Sequence, residues 1–373
     1  MSRKKRVAEE ISLPVNFNIH GYIADTQGCG HIRIIIPYML LNQYRTEYLS
    51  FSAFYNPNFI TTPDFYKKQT FVVFQRSVTE VHLDMFKYFS ENIKVKTNTP
   101  IIYEIDDLLI DIDKTNYAHD YYVKYKDIIP KIMRLADGIV VSTKRLKQVY
   151  SKYNSNIQIS QNRLPKFLWG EPIPNYTKEI KRDKPRILWA GSANHFTLKK
   201  LEEEKGIKGG DFGEKLLDFI RRTSNIYQWV FLGAIPNELE DLKDITIEYH
   251  KWRNIFEYPH FIKSLDIDFA VAPLKKGLFN NCKSNIKLLE YVASGYPGIY
   301  SNSEPYKDAM VTCDNDDEMI FFIEKMAADL DFRKEVYDHD YNMVREDLFW
   351  EENNNLIKFI NSHLLLFDRY IKI

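Results

Sequence analysis

Short runs of apolar, β-branched or aromatic residues alternate with longer stretches of helical pattern along almost the whole chain. This alternation sets the fold class. The runs predict strands at Phe17–Ile23, Tyr48–Tyr55, Thr70–Arg76, Ile101–Ile105, Gly138–Ser142 and Gln158–Ser160. Helical patterns lie between them at Ile32–Asn42, Thr79–Phe89, Tyr121–Ala136 and Lys144–Tyr153. Several strands are apolar on both faces, as a parallel sheet covered by helices requires. The rhythm breaks once, between Pro165 and Pro185, where Pro172 and Pro174 also fall and periodicity is lost. It restarts with strands at Arg186–Ala190, Gln228–Leu232, Ile245–Tyr249, Ile267–Ala272 and Gly298–Tyr300, and a long closing helix is expected across Glu351–Tyr370. The reading is therefore α/β: two doubly wound, Rossmann-like domains in tandem, 1–165 and 186–345, joined by a linker at 166–185 and followed by a terminal helix in 346–373.

Length supports two cores, since 373 residues exceed one ordinary domain. Lys+Arg and Asp+Glu balance at 51 each, so no overall field draws the chain to nucleic acid or membrane. Arg3, Lys4, Lys5 and Arg6 form a local basic group, read as a solvated tail. Cys29, Cys282 and Cys313 have no paired spacing, which argues against a disulfide framework or a zinc site. The apolar runs Ile32–Leu41 and Leu364–Phe367 are too short to span a bilayer, and the first thirty residues lack a signal-peptide core. A soluble, cytoplasmic protein is expected. Oligomeric state is not readable.

Four segments carry candidate chemistry. In Asn281–Ser301, Ser284 is a plausible N-cap, Gly295 suits the left-handed residue after the last turn, and Pro297 stops the helix. Lys283, Lys287 and Glu290 fall at i, i+4 and i+7 and share a face. A helix amino end with two lysines can hold a diphosphate, and a carboxylate two turns on can accept both hydroxyls of a ribose. The spacing serves an exposed Lys287–Glu290 pair equally well. In Arg186–His195, a strand ends in Ala190, Gly191 and Ser192 at the edge where α/β sheets bind ligands; His195 then either meets ligand or caps the loop. In Asp25–Arg33, Gly28 and Gly30 flank Cys29 before His31, and position 33 is Arg33, so the full G-x-G-x-x-G of nicotinamide binding is missing. In Tyr103–Asp107, a strand runs into Asp106 and Asp107. Such a pair can orient a hydroxyl, act as a general base or hold magnesium. Asp111–Asp113 and Asp266–Asp268 repeat the same string, and the latter, opening a strand, reads as structural.

Taken in order over roughly residues 17–310, these segments resemble retaining GT-B glycosyltransferases. The resemblance implies two domains facing across a cleft, with the terminal helix crossing back to the first. It implies donor contacts at Gly191, Ser192, Lys283, Lys287, Glu290 and Asn281. Glu290 stands as the second Glu of an E-x7-E pattern that contacts the ribose; the first would fall at Cys282, a departure that leaves Asn280, Asn281 or Lys283 to take its role. Gly191, Ser192 and His195 match a G-S-x-x-H loop under the donor phosphates, with Lys199 and Lys200 loosely matching an Arg/Lys pair. Gly28, Cys29, Gly30, His31 and Arg33 match the glycine-rich loop facing acceptor and phosphate. Asp106 or Asp107 would be acceptor-side catalytic residues, with His195. Ala136–Thr143 and Ile159–Pro165 resemble the family's next strand, whose Ser142 and Thr143 would cap the following helix, and its exit from the first domain.

The resemblance implies sugar transfer from a nucleotide-diphosphate donor, a UDP-sugar being favoured, with retention, with no cofactor required and with Mg2+ as a further option. Gly-Cys-Gly is also similar to phage glucosyltransferases that decorate hydroxymethylated DNA. With the basic amino terminus and the Tyr-, Phe-, Asn-, Lys- and Ile-rich composition, this favours a 5-hydroxymethylated pyrimidine in duplex DNA as acceptor, and a host cytoplasm if the chain is phage-encoded. A surface polysaccharide or lipid-linked saccharide is the alternative acceptor. The other readings are a nucleotide-sugar epimerase and a non-catalytic nucleotide-sugar-binding module.

Overall fold

The computed structural model describes residues 17–43, 49–53, 60–116, 118–177, 183–196, 202–204, 206 and 209–368. The basic group at residues 3–6 and the Lys199–Lys200 pair lie outside them.

Six parallel strands make each of two sheets. In the first, β1 (Ile19–Ile23), β2 (Leu49–Ala53), β3 (Phe71–Gln75), β4 (Ile101–Ile105), β5 (Gly138–Val141) and β6 (Ile157–Ile159) are ordered β2-β1-β3-β4-β5-β6. In the second, β7 (Arg186–Gly191), β8 (Gln228–Gly233), β9 (Ile247–Lys251), β10 (Phe269–Ala272), β11 (Gly298–Ser301) and β12 (Thr312–Cys313) are ordered β12-β11-β10-β7-β8-β9. Chain direction across each sheet reverses beside its first strand, between β1 and β3 and between β7 and β10. A crevice opens at such a point beyond the carboxyl ends of the strands.

The apolar runs form strands because both faces are covered. β1, β3, β4, β5 and β10 are buried at every position. Two apolar clusters flank each sheet. One of them joins first-sheet residues such as Ile19, Phe71 and Val140 to Trp350, Phe359, Ile360 and Leu364 of the chain's end. The terminal helix, Asn355–Leu364, therefore packs on the first sheet, and the His363 ring stacks on Phe71 at 5.8 Å. It is shorter than expected because Asn353 and Asn354 take left-handed conformations that stop any helix before it. The two chain crossings run side by side, with Leu164 N donating to Leu348 O and Trp350 N to Leu164 O.

Further differences from expectation have local causes. β9 begins at Ile247 because Asp244 adopts a positive φ of 60° just before it. The helix after β1 runs Gly28–Gly30, a π-turn at His31–Ile35, then Ile36–Asn42; Pro37 has no N–H to give Arg33 O, so the regular ladder cannot form there. The second-domain helix expected from Ser284 starts at Ile286, with Asn285 as N-cap. Gly295 ends it in the left-handed region, as expected, at φ 86°. Thr143 caps the Lys144–Tyr150 helix through Leu146 N, whereas the Ser142 hydroxyl donates to Asp106 O instead.

Candidate active site

Contacts between the two halves come from the carboxyl edges of both sheets. The Asn116 amide donates to Asn194 O (3.3 Å), the Thr143 hydroxyl to Cys282 O (3.0 Å), and Lys275 Nζ pairs with Asp113 (3.3 Å). The His31 ring meets Phe256 edge-on at 5.5 Å. The strand ends thus line one cleft.

On the first-domain side, Asp25 Oδ1 accepts from Gln27 N (2.8 Å) and Gly30 N (3.1 Å) and fixes the loop after β1. Gly30 is required there, since a Cβ would lie 1.8 Å from Asp25 O. Gly28 is exposed, and His31 Nδ1 bonds Gln27 O at 2.8 Å. Cys29 Sγ accepts from Arg76 Nη1 at 2.9 Å, and burial pushes its thiol well above the usual range, so it is no thiolate. Arg76, at the end of β3 with φ 45°, also faces Asp106 (3.5 Å) and Asp107 (3.3 Å). It unites the two predicted carboxylates with the glycine loop. Burial and the Asp106 charge hold the Asp107 carboxyl above its ordinary range, against the pull of Arg76 and Lys283.

Arg33 does not face ligand: it is 2% exposed. Its Nε donates to Glu104 Oε1 at 2.6 Å, and Nη1 donates to Ser160 O and to Asn162 Oδ1 (2.8 Å). The π-turn winds it inward. Burial raises the Glu104 carboxyl despite Arg33. The Asn162 amide donates in turn to Ser284 Oγ at 2.9 Å, so a polar chain runs from the β4 core to the start of the Ile286–Ser294 helix.

On the second-domain side, Lys283 lies in the turn before the helix, not on the face it was expected to share with Lys287 and Glu290. Its ammonium bears electrostatically on Asp107, His195, Asp211 and Lys287, which puts it amid the groups of both domains. Lys287 is not an exposed pairing residue either. It is buried with Nζ donating to Ala190 O, and burial lowers its pKa. Gly191 packs over that ammonium, while Ser192 is exposed at the turn. The Glu290 carboxylate accepts from Tyr258 OH at 3.1 Å, and burial raises its pKa. Tyr258 stacks on Trp252 at 5.1 Å, and the Trp252 indole is half exposed beyond β9. Asn281 Oδ1 accepts from Glu304 N at 3.4 Å. Cys282 lies in the core of the first domain, where burial raises its thiol to about 12; a ligand-facing role at this position is absent because the Leu278–Asn281 turn plugs that core.

His195 Nδ1 lies 2.6 Å from Asp211 Oδ2. Burial and the Lys283 charge hold the imidazole neutral down to about pH 4. Both residues border a cavity of about 110 Å³ between the halves, whose opposite wall is Asp111, Asp113, Thr115 and Asn116. Among the described residues no group of three or more His, Cys, Asp or Glu side chains is placed to hold a metal ion.

Arg76, Asp211 and Trp252 stand at this cleft, and no motif named them for it. Arg76 and Trp252 follow strands at their ligand-binding ends, which is the one signal that could have marked them. Asp211 lies in an aperiodic stretch and is defined only by its partners.

No family model matches the sequence, and no curated protein matches it. Similar solved structures include the GtfA/B complex (11% identity over 80% of this chain, TM-score 0.46). They include the UDP-N-acetylglucosamine 2-epimerase from Rickettsia bellii (10% identity over 94% of this chain and 97% of that one, TM-score 0.46). They also include the glycotransferase of kitacinnamycin (10% identity over 94% of this chain and 99% of that one, TM-score 0.41). The chain spans 57% of the length of the GtfA/B chain it matches. The fold rests on the strand orders themselves: two doubly wound parallel sheets facing across a cleft, with the terminal helix returned to the first, which is the GT-B arrangement.

Proposed function

We propose that this chain is a glycosyltransferase that moves a sugar from a nucleotide diphosphate to an acceptor hydroxyl. The observation that carries the reading is the opposition of unlike edges. Lys283, the β7 turn and the Trp252–Tyr258–Glu290 series stand on one side. The Arg76-linked carboxylates Asp106 and Asp107 stand on the other.

In this reading the Trp252 face takes the nucleobase, Glu290 the ribose hydroxyls, and the Gly191–Ser192 turn with Lys283 the diphosphate. Lys287, held under Gly191, adds positive potential from below. Fixed cations and N–H groups stabilise the charge that develops on the leaving diphosphate as its bond to the anomeric carbon breaks. Asp106 and Asp107 orient the acceptor. Retention and a UDP-sugar donor follow from the family resemblance. So does a 5-hydroxymethylated pyrimidine in DNA as the first acceptor to try, for which the Gly28-Cys29-Gly30 loop and the basic amino terminus are the support.

The test is nucleoside mass spectrometry after incubation with hydroxymethylated duplex DNA and a pool of nucleotide sugars, with unmodified DNA and a Glu290→Ala variant alongside. A gain of one sugar only with Glu290 intact supports donor, acceptor and site together. Nucleotide release without DNA modification redirects the search to saccharide acceptors. Intact donors under every condition contradict the proposal.

A second reading, epimerisation of a nucleotide sugar, is favoured by the His195–Asp211 pair in the cleft, since that reaction needs acid–base groups and no acceptor. Incubation with donor alone separates the two. A new sugar nucleotide of unchanged mass marks epimerisation.

A further inference from the structure

We propose that Asp211 is the positioning residue of a proton-accepting dyad: it fixes His195 as the Nδ1–H tautomer, and Nε2 takes the proton of the acceptor hydroxyl as that oxygen bonds to the anomeric carbon. The inference rests on the glycosyltransferase reading and deepens it.

The geometry of Asp211 is restrictive. Oδ2 faces His195 Nδ1 at 2.6 Å. Oδ1 accepts from Lys275 N and from the Asn280 amide, both at 2.8 Å. With donors on every side, the carboxylate is ionised and immobile, and its pKa is held low: burial raises it, but the bond from His195 and the Lys283 charge outweigh that. A neutral imidazole must then carry its hydrogen on Nδ1. Nε2 is left as an acceptor with no protein partner among the described residues. The ring is also fixed by the edge of Trp189, with centroids 5.6 Å apart.

The place is as telling as the tautomer. The ring follows β7 beside the proposed diphosphate turn, and it borders a cavity closed on its other side by first-domain residues. An acceptor held by that domain meets the donor there. A base beside the departing diphosphate suits a hydroxyl that enters on the leaving-group side, as retention in a single step requires. In the step the acceptor O–H proton passes to Nε2, and its oxygen bonds the anomeric carbon. The carbon–oxygen bond to the diphosphate breaks, and its electron pair leaves with the diphosphate. The imidazolium then returns its proton to the diphosphate or to water. The charged groups around the ring are Asp211, Lys283 and Lys287, with Asp111, Asp113, Lys275 and Lys276 on the cavity wall.

Asp211→Asn tests the claim in the full-length chain. Two N–H groups point at Oδ1, so the amide oxygen must take that side. The NH2 group then faces Nδ1 and drives the imidazole hydrogen to Nε2, which can no longer accept. Nitrogen-15 NMR of labelled histidine should show the Nδ1–H form in the wild type and the Nε2–H form in the variant. Turnover should fall by a factor on the order of 10²–10⁴, while UDP affinity by calorimetry stays within about twofold. His195→Ala should lose as much and recover part of it with added imidazole. An Nε2–H tautomer in the wild type, or wild-type turnover in D211N, overturns the dyad alone. So does UDP affinity that falls in step with turnover. Failure of the wild type to transfer sugar from any donor overturns the glycosyltransferase reading instead, and the base role with it.

Discussion

His363 shows how one residue reports on folding through its proton. It is 2% exposed, stacked on Phe71, and hydrogen-bonded to Phe359 O, and burial lowers its pKa to about 4. In the unfolded chain it titrates near 6.5. Between those values the unfolded state binds the extra proton, so this group's share of stability is complete above about pH 6.5 and is lost as pH falls toward 4. A His363→Gln variant lacks that loss. Its stability deficit relative to wild type should be largest at pH 7 and narrow by pH 5, as read by denaturant titration at each pH. A constant gap contradicts the buried, neutral imidazole. Arg76 makes a second point at this scale. Removing it (Arg76→Met) leaves Asp106 and Asp107 together without the guanidinium that faces both, so the acidity of Asp107 and sugar transfer should both suffer. Turnover is expected to fall at least tenfold, with the pH–rate profile displaced upward on its acid side; an unchanged profile contradicts the pairing.

The element that departs from the E-x7-E pattern of the resemblance is the Leu278–Asn281 turn with Cys282. It belongs by sequence to the second half and by packing to the first, because Leu278, Phe279 and Cys282 join the Tyr150 and Leu108 core. A glutamate at 282 would place a carboxylate among those side chains. Cys282→Glu should therefore not restore a missing ligand contact. It should lower stability by about 3 kcal/mol or more, and Cys282→Ala by about 1 kcal/mol, with thermal unfolding as the check. A C282E variant of normal stability with tighter donor binding contradicts this placement. At the same scale the sequence was readable where physics is local. Runs such as Phe71–Gln75 and Ile101–Ile105 form strands because every side chain finds an apolar neighbour, and Gly295 ends its helix because only glycine takes that conformation without strain. The start of the same helix lies one residue beyond the expected one, since Ser284 answers to Asn162, more than a hundred positions away, and Asn285 takes the N-cap.

Over the whole molecule the same division holds. Alternation of strand and helix and the returning terminal helix were legible, because parallel sheets leave few other ways to bury such runs. The Asp106–Asp107 pair and the Gly191–Ser192 turn are legible as candidates because they sit at strand ends, and Glu290 because of its spacing within the Ile286–Ser294 helix. Arg33 was read as a ligand residue but lies against Glu104, and Asp211 and Arg76 were passed over, since each is defined by partners brought together only by the fold. The central claim is that the cleft's second-domain edge holds a nucleotide sugar. Calorimetric titration of the full chain with UDP, beside ADP, GDP and dTDP, tests it most directly when repeated on Trp252→Ala and Glu290→Ala. Saturable binding of one nucleotide, weakened at least tenfold in both variants with their unfolding temperatures unchanged, is the predicted result. Binding of none, or equal affinity in all three proteins, contradicts it.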